Sequence, residues 1–212
     1  MKKLFILAVM MIFLCGCSNI NKSSIEKLTS DALSQKKNYT NMVRVGYKYY
    51  KPQQMSVIET SSYNETLRSD DILYYLYVDV VSYYNKTNND YVENDLSYYS
   101  RKISHKKKTG YIEINELEDN QYLIEIVYNY AKIEVMVDKK KINEAVAFSL
   151  SILSSVRYND VVINNKLGND VFNSFEENFN LFEAEKKDNN TLKYIEDSRY
   201  DKDVIPDMDL VS

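Results

Sequence analysis

The chain has one histidine, two cysteines, two prolines, four glycines and no tryptophan among its 212 residues. Each scarcity removes a class of chemistry. The glycines stand apart at 16, 46, 110 and 168, so no glycine-rich loop is present to cradle a phosphate. Neither a G-x-S-x-G elbow nor an H-E-x-x-H helix occurs. One histidine and two cysteines cannot supply the usual zinc ligand set. A Ser-His-Asp triad would have to use His105, which sits in the cation-rich run Arg101-Lys102-Ile103-Ser104-His105-Lys106-Lys107-Lys108.

The first 22 residues carry the most specific pattern. Lys2 and Lys3 are followed by an uncharged apolar run, Leu4 to Leu14, and then by small residues and polar Ser18-Asn19-Ile20-Asn21-Lys22. This is the three-part layout of a secretory signal. The apolar run is shorter than the roughly 20 residues a bilayer-crossing helix needs. At its end, Leu14-Cys15-Gly16-Cys17 resembles the signal of bacterial lipoproteins. Leu14, Gly16 and Cys17 match that pattern, and Cys15 stands where Ala or Ser is commoner.

The resemblance implies a diacylglycerol thioether on Cys17, a signal peptide over 1–16 and a lipidated tether over 17–22. Two acyl chains hold a protein at a membrane where one would not, at about 0.8 kcal/mol per buried methylene. The alternative is an ordinary signal peptide with incidental cysteines. A lipidated Cys17 would leave the mature chain without a free thiol or a disulfide, and so without cysteine nucleophiles. The expected location is the outer face of the cytoplasmic membrane.

Cleavage after Gly16 would leave about 195 residues, enough for one domain with a sizeable core. Without Lys2 and Lys3, 25 basic side chains face 31 acidic ones. That balance, with export, argues against nucleic acid as a partner. Abundant Asn, Lys, Ile and Tyr, with 20 tyrosines, fit an A+T-rich genome. The chain is similar to small lipoproteins of A+T-rich Gram-positive bacteria, a group that implies no particular activity.

Periodicity predicts a helix from Ser23 to about Lys37, capped through Ser23 and Glu26, with Ile25, Leu28, Ala32 and Leu33 as its apolar stripe. From Met42 to Val137 the period becomes that of strands. Met42 to Tyr47 reads as one extended segment, and a polar turn at Ser61-Ser62 separates two more. Ile72 to Val81 is apolar on both faces and reads as a central strand covered on two sides. Strands are further expected over Leu96–Ile103, Tyr111–Ile114, Tyr122–Tyr128 and Ile133–Val137, antiparallel and sequential because the gaps are short.

A helix then places Ile142, Val146, Ser149, Leu150 and Leu153 on one face and ends near Arg157. A last helix is expected from Asp170 to Lys187 with Phe172, Phe175, Phe179 and Phe182 along one side. The fold class is α+β: an antiparallel meander sheet of about six or seven strands, with an N-terminal helix and C-terminal helices, over 23–187. Residues 188–212 are expected to form an acidic, partly disordered tail. The stretch from Tyr122 to Arg157, ending in Leu153-Ser154-Ser155-Val156, resembles the end of PsbP-like domains.

Three sets of residues are candidates for binding. Asp79 interrupts an apolar strand and shares a face with Tyr75, Tyr77 and Tyr83, so it either lines a cleft for a cation or sugar or makes a local cap or ion pair. Lys106, Lys107 and Lys108 form a basic loop that either meets anionic lipid or wall polymer or is an exposed turn. Phe175 and Phe179 either pack in the core or dock a protein partner. Asp201, Asp203, Asp207 and Asp209 lack the spacing and glycine of a calcium loop.

No metal and no cofactor is expected. The leading expectation is a membrane-anchored, non-enzymatic binding or assembly module. The second is a ligand- or polymer-binding lipoprotein with a Tyr-lined cleft near Asp79. The third is a carboxylate hydrolase such as a glycosidase, which needs two carboxyls about 5–9.5 Å apart.

Overall fold

A computed structural model describes residues 23–35, 39–87, 90–167, 182–186 and 192–196. Helix α1 (Ile25–Ser34) leads into two short strands, β1 (Met42–Arg44) and β2 (Tyr47–Tyr49). Then come β3 (Ser56–Ser61), β4 (Asn64–Ser69), β5 (Ile72–Val78) and the six-residue helix α2 (Val80–Asn85). Strands β6 (Tyr99–His105), β7 (Lys108–Glu116), β8 (Gln121–Tyr128) and β9 (Ala131–Asp138) follow. Helix α3 (Ile142–Ser155), β10 (Arg157–Tyr158), α4 (Asp160–Leu167), β11 (Phe182–Lys186) and β12 (Leu192–Glu196) complete the order.

The fold is α+β, built on a seven-stranded antiparallel sheet in the order β3-β4-β5-β9-β8-β7-β6. Two sequential meanders, β3-β4-β5 and β6-β7-β8-β9, meet at β5 and β9. The connection through α2 therefore carries the chain to the far edge, and the second meander returns. Cross-strand register puts Tyr74, Val135, Ile124 and Ile114 in one row, and Leu76, Ile133, Ile126 and Ile112 in the next. All eight are buried. Helix α3 lies on this face, with Ile142, Val146, Ser149, Leu150 and Leu153 all buried. Each buried aliphatic side chain contributes about 1.5–3 kcal/mol. Helix α1 packs on α3, and β1, β2 and β10 form a small sheet over the β4 edge of the same face.

Several local expectations are corrected. Ser24, not Ser23, caps α1: its Oγ accepts from Lys27 N at 3.2 Å. Glu26 lies in the first turn, where a backbone N–H, then Ser24, Tyr99 and Arg101, hold its carboxyl below the ordinary range. Gly46, at φ +86°, breaks the expected Met42–Tyr47 segment into the β1–β2 hairpin. Strand β5 ends at Val78 and is covered on one face; Leu73, Tyr75 and Tyr77 point to the other and are partly open. Phe182–Lys186 is a strand paired with β12, not the end of a helix. Phe172, Phe175 and Phe179 lie outside the described residues, as do the aspartates from 201 onward.

Candidate functional site

Because side chains alternate along a strand, whatever is not in the core of this sheet lines its second face. Among the described residues no helix crosses that face. Pairing brings Glu113 opposite Glu125, and Glu125 opposite Glu134, so three carboxylates stand in one row across β7, β8 and β9. Like charges directly opposite repel, and the surrounding side chains offset this. Lys132 Nζ lies 2.8 Å from Glu134 Oε1 and 3.8 Å from Glu125 Oε2. Tyr111 donates its hydroxyl to Glu125, and Tyr91 donates to Glu113, each at 2.5 Å. Asn94 and Asn115 each donate an amide to Glu113 Oε1 at 3.1 Å. The Tyr91 and Tyr111 rings stack at 3.8 Å with planes 2° apart. Tyr91 thus lays the 90–98 segment over this end of the row.

Glu134 is the deepest of the three, at 2% exposure. Burial pushes its carboxyl up to about 7, with Lys132 opposing and Glu125 adding to the shift. Tyr75 stands opposite Glu134 and Tyr77 opposite Lys132. The two tyrosines singled out in the sequence do flank a buried carboxylate, but it is Glu134 and not Asp79. Alternation alone placed Glu134 outward; only strand order and register show that it meets Glu125 and Tyr75.

Asp79 has a different role. It is the N-cap of α2, its Oδ1 accepting from Ser82 N at 2.7 Å. The chain turns out of the strand there, which parts Asp79 from Tyr75 and Tyr77. Other tyrosines gather at this end of the sheet. Tyr83 stacks on Tyr158 at 3.8 Å, meets Tyr130 edge-on at 5.6 Å and donates to Asp160 Oδ1 at 2.7 Å. Lys86 Nζ stands 3.6 Å from the Tyr83 ring centre. Asn129 and Tyr130 form a two-residue hairpin turn with both φ positive, a strained setting for a bulky residue.

The basic run forms the tip of the β6–β7 hairpin. His105 pairs with Lys108, and Lys106 and Lys107 make an exposed turn. Lys108 is half-buried; burial, with the charges of Arg157 and Lys106, holds its pKa down at about 8. Arg157 follows α3 and donates through Nη1 to the carbonyls of Ser154 and Val156.

A further carboxylate was missed altogether. Glu65 points into the core, 2% exposed, and accepts from Arg44 Nη2 at 2.6 Å, Tyr49 OH at 3.0 Å and Tyr47 OH at 3.2 Å. Burial raises both tyrosine pKa values, and the Glu65 charge raises them further. This cluster ties the β1–β2 hairpin to β4. Two cavities flank α1. One, of about 520 Å³, is lined by Ile25, Tyr98, Lys139, Lys140, Ile142 and Asn143; the other, of about 370 Å³, lies between α1 and β6.

Among the described residues no helix is long and apolar enough to cross a membrane, and no three acidic, histidine or cysteine side chains are grouped to hold a metal ion. No protein-family model matches the chain, and no curated protein or solved structure matches it.

Proposed function

We propose that this chain is a lipoprotein anchored through Cys17 to the outer face of the cytoplasmic membrane, where it acts as a non-enzymatic binding or assembly module. One observation supports the module reading above others. The carboxylates best placed for chemistry are already engaged within the chain: Glu113 by Tyr91 and two amides, Glu125 by Tyr111, and Glu134 by Lys132. Side chains so tied pave a pre-formed sheet face, which suits docking against another surface without reorganisation. The lipid reading rests on the Leu14 to Cys17 pattern.

Mass spectrometry of the mature protein tests the anchor and should find a diacylglycerol on an N-terminal Cys17. The module reading is tested with aryl glycosides and Glu134→Gln. No hydrolysis is expected from either form; hydrolysis lost in the variant with unchanged melting would install a carboxylate glycosidase instead.

A second reading, ligand binding at the tyrosine cluster beside Asp79, draws on the gathering of Tyr83, Tyr130 and Tyr158 rings there, with Lys86 over one face of Tyr83. Tyr130→Gly would relieve the strained turn and remove one wall of the cluster. If binding of a quaternary ammonium probe survives that change, this reading falls.

A further inference from the structure

The two ends of the sheet carry opposite charge. At one end the turns are Asp70-Asp71, between β4 and β5, and Glu118-Asp119, between β7 and β8. Lys139 to Lys141 also stand there, but Asp138 precedes them and Glu144 holds Lys141 at 2.9 Å. At the other end are Lys106 and Lys107, with Lys108 and Arg157 behind them. Asp79, which caps α2, and Asp160, which accepts from Tyr83, stand there too, but the four cations outnumber them.

The chain enters the fold at the acidic end. Asn143, in the first turn of α3, donates to the Ser23 carbonyl at 2.8 Å. Arg157 lies just past the other end of this 14-residue helix, about 20 Å away at 1.5 Å per residue. The six residues from Cys17 to Lys22 reach at most about 20 Å when fully extended. A domain held by lipid on Cys17 therefore rests with its acidic end toward the bilayer. Standing the domain upright on its lysine end would lift Ser23 by about 20 Å and require the tether at full stretch, which is entropically costly.

We infer that the basic end, Lys106, Lys107, Lys108 and Arg157, is a docking surface for a phosphodiester polyanion lying beyond the membrane, and not for the bilayer that holds the anchor. The inference rests on the Cys17 anchor for its orientation. An anion seated among these cations offsets their mutual repulsion, which is felt most by half-buried Lys108. Exposed Lys106 and Lys107 add a salt-screened attraction of long range.

The test uses the mature lipidated chain in phosphatidylcholine vesicles, with short poly(glycerol phosphate) as the probe. Binding should weaken with salt. Replacing Lys106, Lys107 and Lys108 with Gln should lower affinity at least tenfold and flatten the dependence of log affinity on log salt by about two. The same change at Lys139, Lys140 and Lys141 should leave affinity unaltered. In vesicles containing phosphatidylglycerol, a headgroup quencher should reach a fluorophore on Glu118→Cys and spare one on Ser62→Cys, in the turn at the basic end. Unchanged polymer binding in the first triple variant, or equal quenching of the two labels, would overturn the inference. An unmodified Cys17 would sink the anchor alone, and the polymer titration would still decide the site.

Discussion

Glu134 makes the protein's stability depend on pH in a defined direction. Its folded-state pKa of about 7 lies above its ordinary 4.5, so the native state binds the proton more tightly than the unfolded chain. The stabilisation is complete below about pH 4.5 and is lost as pH rises through 7. At about 1.4 kcal/mol per pKa unit the loss is on the order of 3 kcal/mol, and Glu134→Gln should remove it. Denaturant melts of the two forms from pH 5 to 8 check this; parallel curves would reject it. Glu65 matters through the partners it holds. Its charge is buried but fully engaged, so Glu65→Gln should cost about 3 kcal/mol by leaving Arg44 without its counter-charge. Tyr74 is a simpler case: its hydroxyl is buried and lacks a hydrogen-bond partner. Tyr74→Phe should therefore hold stability or raise it by about 1 kcal/mol, read as a shift in thermal midpoint.

At the scale of elements, β5 joins the two meanders, and its inward row Tyr74, Leu76 and Val78 is wholly enclosed. Val78→Asp should unfold the domain, because an unpaired charge would be placed against Ala131 and the core. Normal melting of that variant would remove β5 from the centre of the fold. Gly110 marks a different constraint. A Cβ there would lie 1.9 Å from the Val127 carbonyl oxygen, so β7 and β8 would have to part. Gly110→Ala should cost several kcal/mol, more than the ordinary penalty of about 1–3 kcal/mol for a disruptive substitution. Circular dichroism melts check both changes. Periodicity revealed these strands, but the 79–85 segment shows its limit. Val80 and Val81 continue the apolar run, and only the Asp79 cap, formed once Asp79 N bonds the Tyr130 carbonyl, turns the chain into a helix.

At the scale of the whole molecule, the proposed lipid anchor and the charge separation would act together. Cys17→Ala should abolish membrane retention and leave an unprocessed precursor, which membrane fractionation and mass spectrometry check. Retention of a processed Cys17→Ala chain would end the lipoprotein reading. The domain itself should melt unchanged once freed, since the described core residues run from Leu33 to Ile163, beyond the tether.

The alternation of apolar and polar residues determined that β7, β8 and β9 have one buried face, since a one-residue slip would expose the whole row. The 3.6-residue period likewise determined the buried stripe of α3, and the proposed anchor rests on Leu14 to Cys17 without any fold. What the tertiary structure decided is which polar residues meet. Glu113, Glu125 and Glu134 lie 12 and 9 residues apart and become neighbours only through strand order and register. Glu65 and Arg44 are 21 apart and pair only when the β1–β2 hairpin folds over β4. Asp79 looked buried because its neighbours are apolar, but the backbone turns there and exposes it to a helix N-terminus. Burial patterns are local and periodic, and the chain itself carries them. Contacts between charged groups depend on long-range pairing, which no single stretch of sequence encodes.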